Sequence, residues 1–228
     1  MDPVPGTAAT RSGLYRAFAT AFSHPVDDFP DLLLSGEFQA ILAAAGSRLQ
    51  SPLHFGMDEL NESLNGVDSQ EIIITYSTLF ESGSHAVSLR ELTYSTLTEK
   101  TLMEELFRFY QHFGLEFSRG ELRELPDLLP VELEFLHYLT FLEAQASDID
   151  HLQPNISALQ AAQRDFIDLH PGRWIDNFIE RLKSRADSGL YLSFAAMLRL
   201  FLKHERHYLS RSDTELIATD QDLTPVDS

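Results

Sequence analysis

His204, Glu205 and His207 lie close together towards the C-terminal end of the chain. Two histidines three positions apart, with no placed third ligand, make a poor zinc cage. The group reads as a solvated helix end, and no metal site is expected. The chain has 0 Cys, which removes thiolate metal sites, thiol nucleophiles and disulfides. A nucleophile elbow of the Gly-x-Ser-x-Gly kind is absent, and so are the dinucleotide-binding fingerprint and the P-loop. No catalytic residue and no cofactor are therefore expected. The polar groups with chemistry to offer are acids: Glu116, Glu121, Glu124, Asp127, Glu132 and Glu134, interleaved with apolar positions. Glu132 and Glu134 in a first helical turn would meet the positive end of the helix dipole, a structural use. The others call for a partner, and a groove here suits a peptide carrying both basic and apolar residues.

The charge balance agrees with such a partner. Asp plus Glu number 35 against 17 Lys plus Arg, a formal net charge of -18. Counterion release from phosphates cannot then drive binding, so nucleic acid is excluded as a general partner. At 43% apolar and 23% charged residues, the chain has the composition of a folding domain rather than of a disordered one. Residues 1–10 lack a basic n-region followed by an apolar stretch, so no export signal is expected there. The most apolar run, residues 190–202, is broken by Arg199 and falls short of the ~20 residues that span a bilayer. No membrane span is expected, and the cytoplasm is the expected compartment.

The elements that must position these acids are helices, because apolar residues recur at three and four positions and sustained alternation is absent. Leu14, Tyr15, Phe18 and Phe22 form a first stripe, from Ser12 to before Pro25. Shorter helices carry Phe38, Ile41 and Leu42, stopped at Gly46, and Met57, Leu60 and Leu64, stopped by Gly66. Asp68 with Glu71 resembles a capping box opening a helix through Ile72, Tyr76, Leu79 and Phe80, although the β-branched run 72–75 also suits a strand. A loop follows from Ser82 to about Leu92. Thr98 caps a long helix ending at Gly114, and Pro130 opens a central helix apolar on nearly every side. Asn155 caps the next, Pro171 ends it, a stripe through Trp174 and Phe178 makes another, and the last runs from about Ser188 to Leu209. This predicts an all-α, single-domain bundle of about nine helices over residues 11–209. Residues 1–10 and an acidic tail, 210–228, are expected to be disordered.

The segment Glu124-Leu125-Pro126-Asp127-Leu128, running into Val131-Glu132-Leu133-Glu134-Phe135-Leu136, resembles the signature of the TorD/DmsD/NarJ family of redox-enzyme maturation chaperones. Tyr76-Ser77-Thr78-Leu79-Phe80 is similar to that family's aromatic-x-x-Leu-Phe motif. Residues 166–174 resemble its Phe-x-x-x-His-x-x-x-Trp pattern, with His170 and Trp174 in place. The segment from Met103 to Leu115 looks most like chaperones of type II dimethyl-sulfoxide-reductase-type molybdoenzymes. Leu128 stands where the family commonly has His, and the 82–94 loop lacks the Pro-rich, Cys-containing character common in that branch.

The resemblance implies a TorD-like fold, a monomer or weak homodimer, and no enzymatic activity. It implies binding to the apo catalytic subunit of a molybdenum-bis-pterin-guanine-dinucleotide oxidoreductase, through its N-terminal or twin-arginine segment, before cofactor insertion and export. The residues it offers for client binding are Tyr76, Leu79, Phe80, Glu124, Pro126, Asp127, Leu128, Glu132 and Glu134. From the residues alone, Tyr76, Leu79 and Phe80 also suit a core, and His170 and Trp174 suit packing anchors. Asp127 is expected in a loop amid other acids, where its loss would spare thermal stability. A helical scaffold binding an unrelated partner is the alternative. Circular dichroism should give a predominantly helical spectrum; a sheet-rich one would contradict the all-α assignment.

Overall fold

Large aromatic side chains decide where the helices meet. The computed structural model describes residues 7–26, 28–82, 85–115, 125–147, 153–185 and 189–221, without the side chains of 153–155 and 212–221. Among these residues there are ten α-helices: α1 (Thr7–Phe22), α2 (Phe29–Leu34), α3 (Glu37–Leu49), α4 (Met57–Ser63), α5 (Ser69–Tyr76), α6 (Glu99–His112), α7 (Leu129–Ser147), α8 (Gln153–Leu169), α9 (Pro171–Lys183) and α10 (Gly189–Gln221). Two 3-10 turns, Pro52–Gly56 and Glu91–Thr93, and a π turn, Ser77–Glu81, complete the helical structure. No strand occurs among the described residues; a single antiparallel bridge joins Arg90 to Leu128.

α1 lies along α7, α7 along α8, and α10 against both α8 and α9, with the short α2 to α4 packed on the α1 and α10 side. Tyr15, Phe18 and Phe22 of α1 meet Phe194 and Phe201 of α10 and Phe178 of α9, all fully buried. Each such side chain contributes ~1.5–3 kcal/mol by leaving water, so these contacts fix the order of the bundle.

Most of the expected elements are present, with displaced ends. The capping box is formed: Glu71 N–H donates to Asp68 Oδ1 at 2.9 Å, and Asp68 N–H donates to Glu71 Oε2 at 2.9 Å. It settles residues 72–75 as helix. Thr98 caps α6 through its hydroxyl oxygen, which accepts from Thr101 N–H. α1 opens at Thr7, ahead of the expected Ser12, and this extra turn carries Arg11 into the core. Gly46 does not stop α3, which continues to Leu49; the missing side chain instead admits Leu53, whose Cβ would lie 3.2 Å from a Cβ at that position. The backbone of α8 is helical from Gln153, ahead of the expected cap at Asn155. Helix α2 escaped the pattern because six residues are too short for a periodic stripe. The backbone of α10 is helical to Gln221, and residues 222–228 lie outside the described residues, as do 1–6.

A polar knot crosses the apolar bundle. Arg11 is 1% exposed and donates through Nε to both oxygens of Glu205 at 2.8 and 3.0 Å, through Nη1 to Glu143 at 2.8 Å, and through Nη2 to Gln163. Tyr15 donates to Glu205 at 3.0 Å, and Gln160 and Gln163 donate to Glu143, each at 2.8 Å. Burial opposes the guanidinium charge, but Glu205 and Glu143 more than offset it, so Arg11 stays firmly protonated. Glu205 is thus not part of a solvated helix end; its stripe position on α10 turns it fully inward. Among the described residues no group of three His, Cys, Asp or Glu side chains could hold a metal ion.

Removing Arg11 would leave two carboxylates buried without their cation, so Arg11→Ala should cost about 3–5 kcal/mol of stability. The exposed Arg16 on the same helix is the control, and Arg16→Ala should change stability by less than about 0.5 kcal/mol. Denaturant unfolding of the two variants checks this.

Candidate functional site

The three motif segments meet around residues 87–94, a strap read in the sequence only as loop. Val87 N–H donates to the Leu79 carbonyl at 2.7 Å, Leu129 N–H to the Leu89 carbonyl at 2.9 Å, and Glu91 N–H to the Asp127 carbonyl at 2.8 Å. Val87 and Leu89 are buried beneath these bonds. Tyr94 closes the strap on itself, donating to the Ser88 carbonyl at 2.7 Å. Its ring stacks on Trp174 of α9, centroids 5.2 Å apart and planes 7° from parallel.

The aromatic-x-x-Leu-Phe segment lies where α5 widens into the π turn, with Ser82 N–H reaching the Ser77 carbonyl at 2.9 Å. Such turns occur mostly as local features within α-helical structure and often at functional positions. Tyr76 is buried and donates to the Phe22 carbonyl at 3.0 Å. Leu79 is fully buried, and Phe80 is half-buried between Tyr191, at 5.0 Å edge-on, and Phe178. Leu79 therefore belongs to the core, while Phe80 presents part of its ring outside.

The acids divide sharply. Asp127, expected in an open acidic loop, is 0% exposed. Both its oxygens accept from Arg90 Nε, at 3.0 and 3.1 Å, and Oδ2 also accepts from Leu92 N–H at 3.3 Å. The turn that carries it is pulled under the strap because its carboxylate and its carbonyl both bind the strap backbone. Pro126 is buried, and its carbonyl accepts from Tyr110 of α6 at 2.8 Å. Leu128 is half-buried at the bridge to Arg90. Glu132 is fully buried, whereas Glu134, two positions on, faces out. Glu124, with Glu116 and Glu121, lies outside the described residues.

Beneath the strap, His170 Nδ1 is 2.9 Å from Glu91 Oε2, and Trp174 Nε1 donates to Glu132 Oε2 at 3.2 Å. His170 and Glu132 are fully enclosed, and Glu91 and Trp174 nearly so. His170 stands at the junction of α8 and α9, made tight by Gly172, where an added Cβ would fall 2.5 Å from the Ile167 carbonyl oxygen. Burial holds the Glu132 carboxyl well above the usual carboxylate range, neighbouring Glu91 pushes the same way, and the Trp174 N–H opposes both. His170 and Trp174 thus act as the packing anchors that their residue types suggested. Glu91 carried no signal in the sequence, since one acid in a loop has no period to betray its burial.

An open pocket of about 260 Å³ adjoins this region at the C-terminal end of α1, lined by Arg16, Ser23, His24, Val26, Phe29 and Glu134 among others. His24 links it to the π turn, with Nδ1 2.8 Å from Glu81 Oε1 and its ring edge-on to Tyr76. The described surface here thus combines apolar side chains with acids and one arginine.

The strap and three motif segments thus form one connected unit within an all-helical frame. The family described as nitrate reductase delta subunit matches residues 47–180, more than half of the chain and every motif segment. The chain belongs to this family, the TorD/DmsD/NarJ group that the motifs resemble. It is 46% identical over 101 residues to the perchlorate reductase assembly chaperone protein of Dechloromonas aromatica, covering 44% of this chain and 43% of that one. It is 33% identical over 116 residues to the selenate reductase assembly chaperone protein of Thauera selenatis, covering 50% and 56%. The chain thus spans about half the length of these two relatives. With the chaperone protein TorD of Vibrio parahaemolyticus it is 25% identical over 217 residues, 92% of this chain and 99% of that one.

Burial reverses the expectation that Asp127 is dispensable for stability. Asp127→Ala strips Arg90 and the Leu92 N–H of their acceptor, and because Arg90 is 30% exposed and can turn to water the cost should be about 1–3 kcal/mol. Leu79→Ala opens a core cavity at about 2–5 kcal/mol. Melting of both variants checks the order; an Asp127→Ala protein as stable as wild type would contradict the clamp.

Proposed function

We propose that this protein is a dedicated chaperone that binds the apo catalytic subunit of a molybdopterin oxidoreductase and assists cofactor insertion and assembly. The convergence of the three family motifs on one strap carries this reading. The relatives named for perchlorate and selenate reductase support a client of the type II branch. Binding takes place in the cytoplasm and engages the client's N-terminal or twin-arginine segment. The net charge of -18 complements a basic targeting segment.

Burial sorts the candidate residues by role. Phe80, Leu128 and Glu134 meet the client, and Glu124, outside the described residues, is added to them by the family resemblance alone. Tyr76, Leu79, Pro126, Asp127 and Glu132 shape that surface from beneath. The protein catalyses no reaction: by binding the unfinished client it stabilises that state by mass action, and folding of the client around its cofactor removes the site.

Co-purification from the native host followed by mass spectrometry should recover a molybdopterin oxidoreductase subunit; recovery of an unrelated partner alone would favour a helical scaffold instead. In calorimetry against a peptide of the client's N-terminus, Phe80→Ala should weaken binding by about 1–2 kcal/mol. Glu134→Gln should weaken it by less, with a loss that shrinks as salt is raised. Equal binding by both variants and wild type at every salt concentration would place the client surface elsewhere.

A further inference from the structure

The cluster under the strap contains more acid than base. Glu91 from the strap, Glu132 from α7 and His170 from the α8–α9 junction are all within 1% of complete burial. Asp127 from the turn ahead of α7 and Tyr110 from α6 also face Glu132. The nearby cation, Arg90, is committed to Asp127 and, at the surface, to Glu99. Among the described residues the side-chain hydrogen-bond partner of His170 is Glu91, its ring otherwise packing on Phe109 and Phe166, so a single imidazole stands against two carboxyl groups. Glu132 Oε1 is buried and has no hydrogen-bond donor beside it among the described residues, although its side chain faces Glu91. A carboxylate oxygen in that position would be an orphaned acceptor against a second acid, a costly arrangement. A protonated one becomes a donor, and Glu91 becomes its acceptor.

We propose that Glu132 is a neutral acid whose proton bridges to Glu91, and that this proton latches the strap to α7 and α9. When the proton leaves, two like charges face each other across the joint between α7 and the strap. The strap is the element hydrogen-bonded to Leu79, Asp127 and Leu129, so its loosening reaches each of the motif segments that flank it. The device belongs to the strap itself and is independent of what the protein binds.

The sign of its pH dependence follows from linkage. Glu132 holds its proton more tightly folded than unfolded. The stabilisation is therefore complete below the ordinary glutamate value of about 4.3 and is lost as pH rises from there through the folded value, by up to about tenfold in the folding equilibrium per pH unit. Glu132→Gln keeps the shape and a donor towards Glu91 but cannot ionise.

The chain has 1 Trp, and it is Trp174, stacked under Tyr94 and bonded to Glu132, so its emission reports the latch directly. Emission and melting temperature of the full-length protein and of Glu132→Gln are to be followed from about pH 5 to about pH 9. Wild type should show an emission transition that the variant lacks, and the variant's Tm advantage should widen with pH. A Tm difference constant with pH, a transition shared by both proteins, or no transition in wild type overturns the proposal. Glu91→Gln, which still accepts from His170, carries the test if Glu132→Gln does not fold. It removes the like charge and should move the transition to lower pH; an unchanged midpoint overturns the proposal equally.

Discussion

Asp127 lies wholly out of water, so its charge has to be answered inside the fold, and Arg90 together with the Leu92 N–H answers it. That requirement brings the turn ahead of α7 under residues 87–94, and the carbonyl of the same residue adds a backbone bond to Glu91. Once this joint is made, Leu89 and Leu129 pair, and Glu91 is driven down onto His170. On its other side the strap reaches Leu79 through Val87. Segments far apart in the chain thereby become one surface, because a buried charge tolerates few arrangements and each of its partners holds a different piece of backbone.

Arg11 imposes a second constraint of the same kind towards the C-terminal end of α7, at Glu143. An apolar bundle can slide by a turn at modest cost, since one large side chain replaces another. Arg11, Glu143 and Glu205 cannot, because any slip of α1, α7 or α10 leaves a charge unpaired in the core. Two polar joints, one at the turn leading into α7 and one towards its C-terminal end, thus define the register of α7, which carries Glu132 inward and Glu134 outward only two positions apart.

These constraints give the surface its character. With Asp127 and Glu132 withdrawn into the fold, the described acids that reach the surface here are Glu134 and Glu81, the latter held by His24 and Ser77, beside a pocket lined by Val26 and Phe29. Shape and apolar contact then matter as much as charge in what this surface can bind. The chemistry of the acid pair stays beneath the surface, where it acts on the strap rather than on a ligand.

The all-helical class, the cap at Thr98, the capping box at Asp68 and the aromatic stripe of α1 were legible in the residues, because each depends on neighbours three or four positions apart. So was the family, whose motifs are local strings. The burial of Asp127, Glu132 and Glu205 was not legible: an acid at a helix end or in a loop looks the same in sequence whether it faces water or a distant cation. Arg90 lies 37 positions from Asp127, and Arg11 lies 194 from Glu205. Glu91 and the strap were hidden for the same reason, having no period and no motif. Local spacing determined which residues form helices and which face is apolar; only the tertiary fold, by pairing charges across the chain, decided which acids are structure and which remain for a partner.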